Sequence, residues 1–217
     1  EIRFVFSQAH GERLSLTKDE EGGSQFSTLG QMLTNLGYAT EHATETISSE
    51  LLADSSVLVI GAPQADLALQ ERAAIEQFVK DGGGLFLGVD SSTMMRVHST
   101  TNAVLYGLLT DLLGAEFHEY HNYPPTYLQE FRPHSITAGV RKIQIGDIAA
   151  LKANGSGVEL TWTRATHQAV MACTNVEQGR VLAVGDLDWL ADDLLTTLDN
   201  DRLAARMFRW LAGCNIV

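Results

Sequence analysis

The chain has 217 residues, 45% hydrophobic and 19% charged, enough to bury a sizeable core and unlike a disordered or fibrous composition. Fifteen Lys and Arg stand against 27 Asp and Glu, a formal net charge of −12. That balance argues against a nucleic-acid backbone or an anionic membrane surface as the main partner, since both reward basic patches.

Cys173 and Cys214 are the only cysteines and form no CxxC motif, so neither a disulfide framework nor a zinc site is expected. No apolar run approaches the roughly 20 residues of a membrane-spanning helix, and no signal peptide is visible. The expectation is a cytoplasmic chain without membrane insertion, nucleic acid, cofactor or metal. Its start at Glu1 without Met leaves an excised domain or a processed chain open.

In chain order, Ile2 to Phe6 reads as a strand and the polar stretch from Ser7 to Gly23 as a long loop. Phe26, Leu29, Leu33 and Leu36 share a helical face, with Ser24 as N-cap and Gly37 as stop. Tyr38 to Ala43 is a second strand candidate. Ser56 to Gly61 is a continuous apolar run of the kind covered on both faces in a parallel sheet, ended by the turn Gly61-Ala62-Pro63. The next helix buries Ala74, Ile75, Phe78 and Val79, places Glu71, Arg72, Glu76 and Lys80 elsewhere, and ends at Gly82–Gly84. Leu85 to Val89 is another buried strand.

From about Glu116 the rhythm changes. Residues 116–165 carry Pro124, Pro125 and Pro133 with short strand candidates at Lys142–Ile145 and Val158–Thr163, a β-rich insertion within one domain spanning 1–217. Ala169–Thr174 and Arg180–Val184 form a hairpin pair. Asp199 or Asn200 caps a last helix carrying Leu203, Met207, Trp210 and Leu211, which stops at Gly213. Alternating strands and helices of this kind predict an α/β, flavodoxin-like, doubly wound and mainly parallel sheet with helices on both faces.

Several segments together carry a resemblance: His10-Gly11-Glu12, Val57 to Pro63, Glu71 through Gly84, Ser135 to Val140, Gly179 to Asp186, Asp199-Asn200 and Trp210-Leu211. In order and spacing the chain resembles the class I glutamine amidotransferase-like superfamily, in particular its non-amidotransferase branches. These include ThuA-like proteins, the N-terminal domain of an intraflagellar-transport subunit, and gliding-motility type domains. In amidotransferases the strand matching Leu85–Val89 leads into a nucleophilic cysteine on a tight elbow beside oxyanion-binding N–H groups. Here that position reads Asp90, followed by Ser91 and Ser92. The family's His-and-Glu pair is expected after Val184, where the chain reads Gly185-Asp186-Leu187-Asp188-Trp189. The resemblance therefore implies the fold without the Cys-His-Glu triad, and glutamine amidotransfer is not expected.

Ligands of such sheets bind beyond the C-terminal ends of the parallel strands. Ser7–Glu12, Gly61–Gln64, Asp90–Thr93 and Asp186–Asp188 are expected to converge there. Asp90 and Asp186 are candidates for a carboxylate pair that shares a proton or binds a cation, and capping of the following helix is the competing role of each. His10 and Glu12 are acid/base candidates, against a His10 that only bonds loop backbone. Ser91, Ser92, Pro63, Gln64 and Asp188 are candidate ligand contacts. His118 and His121 lack the spacing of a helical zinc pair.

These features predict a catalytically degenerate domain that binds a small-molecule ligand or a protein partner. The resemblance adds that several branches serve as components of larger assemblies. A hydrolase using Asp90, Asp186, His10 and Glu12, and a structural homo-oligomerisation module, are the alternatives.

Overall fold

The computed structural model describes residues 1–16, 25–89, 107–121, 126–146 and 148–214, without the side chains of 109, 117–121 and 126. Among these residues twelve strands form a ten-stranded sheet, eight of its strands in one continuous path, and a separate two-stranded sheet. The strands are β1 (Arg3–Ser7), β2 (Ala39–Ala43), β3 (Val57–Gly61), β4 (Gly84–Gly88), β5 (Ala115–His121), β6 (Thr126–Leu128), β7 (Glu130–Phe131), β8 (Ile143–Ile145), β9 (Ile148–Ala153), β10 (Val158–Trp162), β11 (Ala169–Val176) and β12 (Gly179–Val184). The path runs β2-β1-β3-β4-β12-β11-β10-β7. The first five strands are mutually parallel, and β11, β10 and β7 continue antiparallel. A parallel order of 2-1-3-4 plus one late strand is that of flavodoxin-like doubly wound folds.

Helices cover both faces, and the strand residues show which. Phe4, Phe6, Val57, Val59, Phe86, Leu182 and Val184 pack with Leu29 and Leu33 of α1 (Ser27–Asn35) and with Leu203, Met207 and Phe208 of α4 (Asn200–Leu211). Their neighbours Val5, Leu58, Ile60, Leu85, Leu87, Val181 and Ala183 pack on the other face with Leu52 of α2 (Ser49–Leu52) and with Ile75 and Val79 of α3 (Leu69–Lys80). Successive strand side chains point to opposite faces. A strand apolar at every position is therefore stable only between two helical layers.

The segment read as a β-rich insertion supplies β5 to β10. Of these, β7 and β10 extend the main path, β9 joins β11 at Leu151 beside Ala169, and β5 pairs with β9. The β6–β8 pair stands as a separate two-stranded sheet.

Three local expectations are corrected. The N-cap position of α1 is Phe26, and Ser24 lies outside the described residues. The helix start is instead held from across the chain, where Asp192 accepts from Thr28 N at 2.7 Å and Ser27 Oγ at 2.8 Å. Asp199 occupies the N-cap position of α4 but accepts from the backbone of Arg141 and Lys142. Glu71, placed by its helical position away from the core, is 2% exposed.

A buried histidine between two glutamates at the strand ends

Ser7 ends β1, and the chain turns back over the exit of β3. Arg13 N donates to Ala62 O and Leu14 N to Gly61 O, while Gln64 N and Ala65 N both donate to His10 O. This close crossing requires Gly61, because a Cβ there would lie 2.3 Å from that of Leu14. His10 and Glu12 are thereby fixed beside the β1/β3 boundary, where the strand order reverses and ligands of such sheets collect.

Glu12 is buried. Its Oε1 accepts from Ser7 Oγ at 2.5 Å and its Oε2 from His10 N at 2.8 Å. The His10 ring lies between Glu12 and Glu71. Nε2 is 3.0 Å from Glu71 Oε2, and the buried Nδ1 is 3.4 Å from Glu12 Oε1, within ion-pair range although off the line of a hydrogen bond. Glu71 arrives from the first turn of α3 and also accepts from Ala68 N at 2.8 Å and Ile47 N at 2.9 Å. One histidine and two carboxylates thus join the β1 loop, the start of α3 and the segment before α2.

The charges are coupled. Glu12 raises the His10 pKa most, burial opposes it, and Glu71 adds to the rise, leaving His10 above its ordinary 6.5. For Glu12, burial acts upward but is outweighed by His10, Ser7 and the His10 amide, leaving its carboxyl below 4.5. Both ring nitrogens face carboxylates, so the imidazole stitches the loops together. The sequence singled out His10 and Glu12 but missed Glu71. The available signal was its place three residues after Ala68, where a glutamate reaches back to the helix-start N–H.

Asp186 is fully buried just beyond β12. Its Oδ2 accepts from Gly146 N at 2.7 Å and its Oδ1 from Asp188 N at 2.8 Å, while its carbonyl accepts from Trp189 Nε1. Asp188 pairs with Arg13 Nη2 at 2.7 Å and so ties the β12 exit to the β1 loop. A cleft of about 570 Å³ opens here, with Arg13, Gln25, Gln144, Asp188, Asp192 and Asp193 among its lining. Pro63 is buried, and Gln64 is exposed with Nε2 on Ala62 O. Asp90, Ser91 and Ser92 lie outside the described residues. Three of the four expected segments are therefore linked, Ser7–Glu12 with Gly61–Gln64 through backbone bonds and with Asp186–Asp188 through Arg13.

Among the described residues, no cluster of three or more His, Cys, Asp or Glu has a metal-holding arrangement, and no helix is long and apolar enough to cross a membrane.

Solved structures share this fold. The mmIFT52 N-terminal domain aligns with a TM-score of 0.82 at 14% identity, covering 99% of each chain. A cytoplasmic protein of Salmonella typhimurium LT2 aligns at 0.69 with 12% identity, covering 97% of this chain and 99% of that one. A ThuA-like protein of Bacteroides uniformis aligns at 0.60 with 17% identity, covering 96% and 90%. At such identities the likeness is one of fold. No curated protein matches the chain at a significant level. A family model does match, over residues 19–208, and by that match the chain belongs to the family described as a domain of unknown function, DUF4350.

Proposed function

We propose that residues 1–217 form one catalytically degenerate amidotransferase-like domain, which acts by recognising a ligand or a protein partner and does not hydrolyse glutamine. The observation that carries this reading is the engagement of Asp186. On an amidotransferase scaffold the exit of the late parallel strand supplies the base that activates the nucleophile. In this chain that exit holds a buried carboxylate whose oxygens take the N–H groups of Gly146 and Asp188. A group committed in this way orders two loops, and the cleft beside it offers polar side chains for binding.

The raised pKa of His10 favours a second reading, a hydrolase using Asp90, Asp186, His10 and Glu12. The two carboxylates facing the ring weigh against it.

The test is ammonia release from glutamine and hydrolysis of p-nitrophenyl acetate and phosphate, with amide NMR spectra recorded alongside. Rates at the buffer blank are expected, with shifts confined to Arg13, Gln144 and Asp188 on adding a small-molecule ligand. Turnover that disappears in Asp186→Asn or His10→Gln would overturn recognition and establish the hydrolase.

A further inference from the structure

The acidic balance of the chain is not uniform over its surface. Helix α4 carries Arg202, Arg206 and Arg209, spaced so that they share one stripe, against a single carboxylate, Asp201. The adjoining α1 contains no charged residue. Between them runs a groove of about 560 Å³ lined by Met32, Asp201, Arg202, Ala205, Arg206 and Arg209. Two of the guanidinium groups are held in place by backbone carbonyls. Arg202 Nη1 donates to Gly139 O at 2.8 Å and Arg206 Nη1 to Ser135 O at 3.1 Å. The carbonyl clamps restrict these side chains without supplying a counter-charge, and although the Asp199 carboxylate faces Arg202, the stripe keeps an excess of positive charge, which suits an anion. Among the described residues none of the three arginines is in an ion pair.

We infer that the α1/α4 groove is a docking surface for an acidic amphipathic protein segment, its carboxylates on the arginine stripe and its apolar residues against Met32 and Ala205. This goes beyond the recognition reading above, adding a protein-docking surface that shares no residue with the cleft beside Asp186. Charge complementarity selects the occupant. A second copy of a chain with net charge −12 is disfavoured by overall repulsion. A nucleic acid or an anionic membrane would have to bring its charge against a chain of net charge −12.

The test is fluorescence polarisation with a fluorescein-labelled peptide bearing Glu on one helical face and Leu and Ala on the other, beside a Lys-for-Glu version, a DNA duplex and phosphatidylserine vesicles. The Glu peptide is expected to bind, to weaken with added salt, and to lose about tenfold or more in affinity in Arg202→Glu/Arg206→Glu, which gains the Lys peptide instead. Because that double variant releases two backbone clamps, Ala205→Glu is run in parallel. It keeps both clamps, is expected to leave the melting temperature unchanged, and should weaken the Glu peptide by a smaller but measurable factor. Absence of binding, affinity unmoved by Ala205→Glu, or preference for DNA or vesicles would overturn the assignment. Such a failure with no glutamine or ester turnover removes only this surface, whereas turnover removes the recognition reading itself.

Discussion

Replacing His10 with Gln tests the buried cluster directly. The variant keeps an uncharged amide donor but removes the cation from between Glu12 and Glu71, which lie 3.4 and 3.0 Å from the ring nitrogens. Breaking a buried pair by removing one partner costs roughly 3–5 kcal/mol. Glu12 would retain the Ser7 hydroxyl and the backbone N–H of residue 10, and Glu71 the N–H groups of Ile47 and Ala68. The loss should therefore sit at the lower end, about 3 kcal/mol, or roughly 6–12 °C in melting temperature for a domain of this size.

The dependence on pH gives a second readout. His10 is raised above 6.5, so its contribution is complete below the unfolded-state value and disappears as pH climbs through the higher folded-state value. Glu12 is lowered below 4.5, so its contribution is present above that value and lost as acid reaches its folded-state value. Urea unfolding, followed by the fluorescence of the three tryptophans, of which Trp189 and Trp210 are buried, should show the largest gap between wild type and variant between about pH 4.5 and 6.5, narrowing toward alkaline pH. A gap below about 0.5 kcal/mol, or one that does not narrow, would refute the assignment of His10 as the charged centre of the cluster.

Three further outcomes are expected. Asp186→Ala leaves the N–H groups of Gly146 and Asp188 without their acceptor and should cost about 2–4 kcal/mol in chemical denaturation; an unchanged midpoint would show that other partners replace the carboxylate. Asp192→Ala removes the distant cap of α1; a loss of about 1–2 kcal/mol is expected, with faster amide exchange at Ser27 and Thr28. Gly179→Ala would set a Cβ 2.0 Å from Val79 O and 2.5 Å from Gly83 O. It should destabilise by about 3 kcal/mol or prevent folding, and a melting temperature within error of wild type would contradict this close packing of the β11–β12 turn on α3 and β4.

Strand positions were legible because burial on both faces writes itself as unbroken apolar runs. Val57–Gly61 and Gly84–Gly88 lie within one residue of the segments read from the sequence, as does the strand from Gly179 to Val184. Helix faces were legible from their spacing, as with Leu29 and Leu33 or Leu203 and Met207. The candidate site was legible only in part. His10 and Glu12 stood out as chemical residue types on a loop after the first strand. Glu71 did not, because a glutamate in the first turn of an amphipathic helix is indistinguishable by periodicity from a solvated one. Asp192 was equally opaque, and Asp199 was legible as the N-cap position but not for its bonds to Arg141 and Lys142, since those partners are distant in sequence.

By itself the sequence determined the alternation of strands and helices, the double-sided burial of the parallel strands, and the acidic overall balance. Those properties are local or compositional, and each residue carries its share wherever the chain goes. The tertiary structure decided which carboxylates lie buried against one histidine, that Asp186 holds backbone N–H groups, and that three arginines gather beside an uncharged helix. These depend on where chain segments dozens of residues apart come to rest. A charged side chain's solvation and partners are set by that placement, and periodicity along the sequence does not record it.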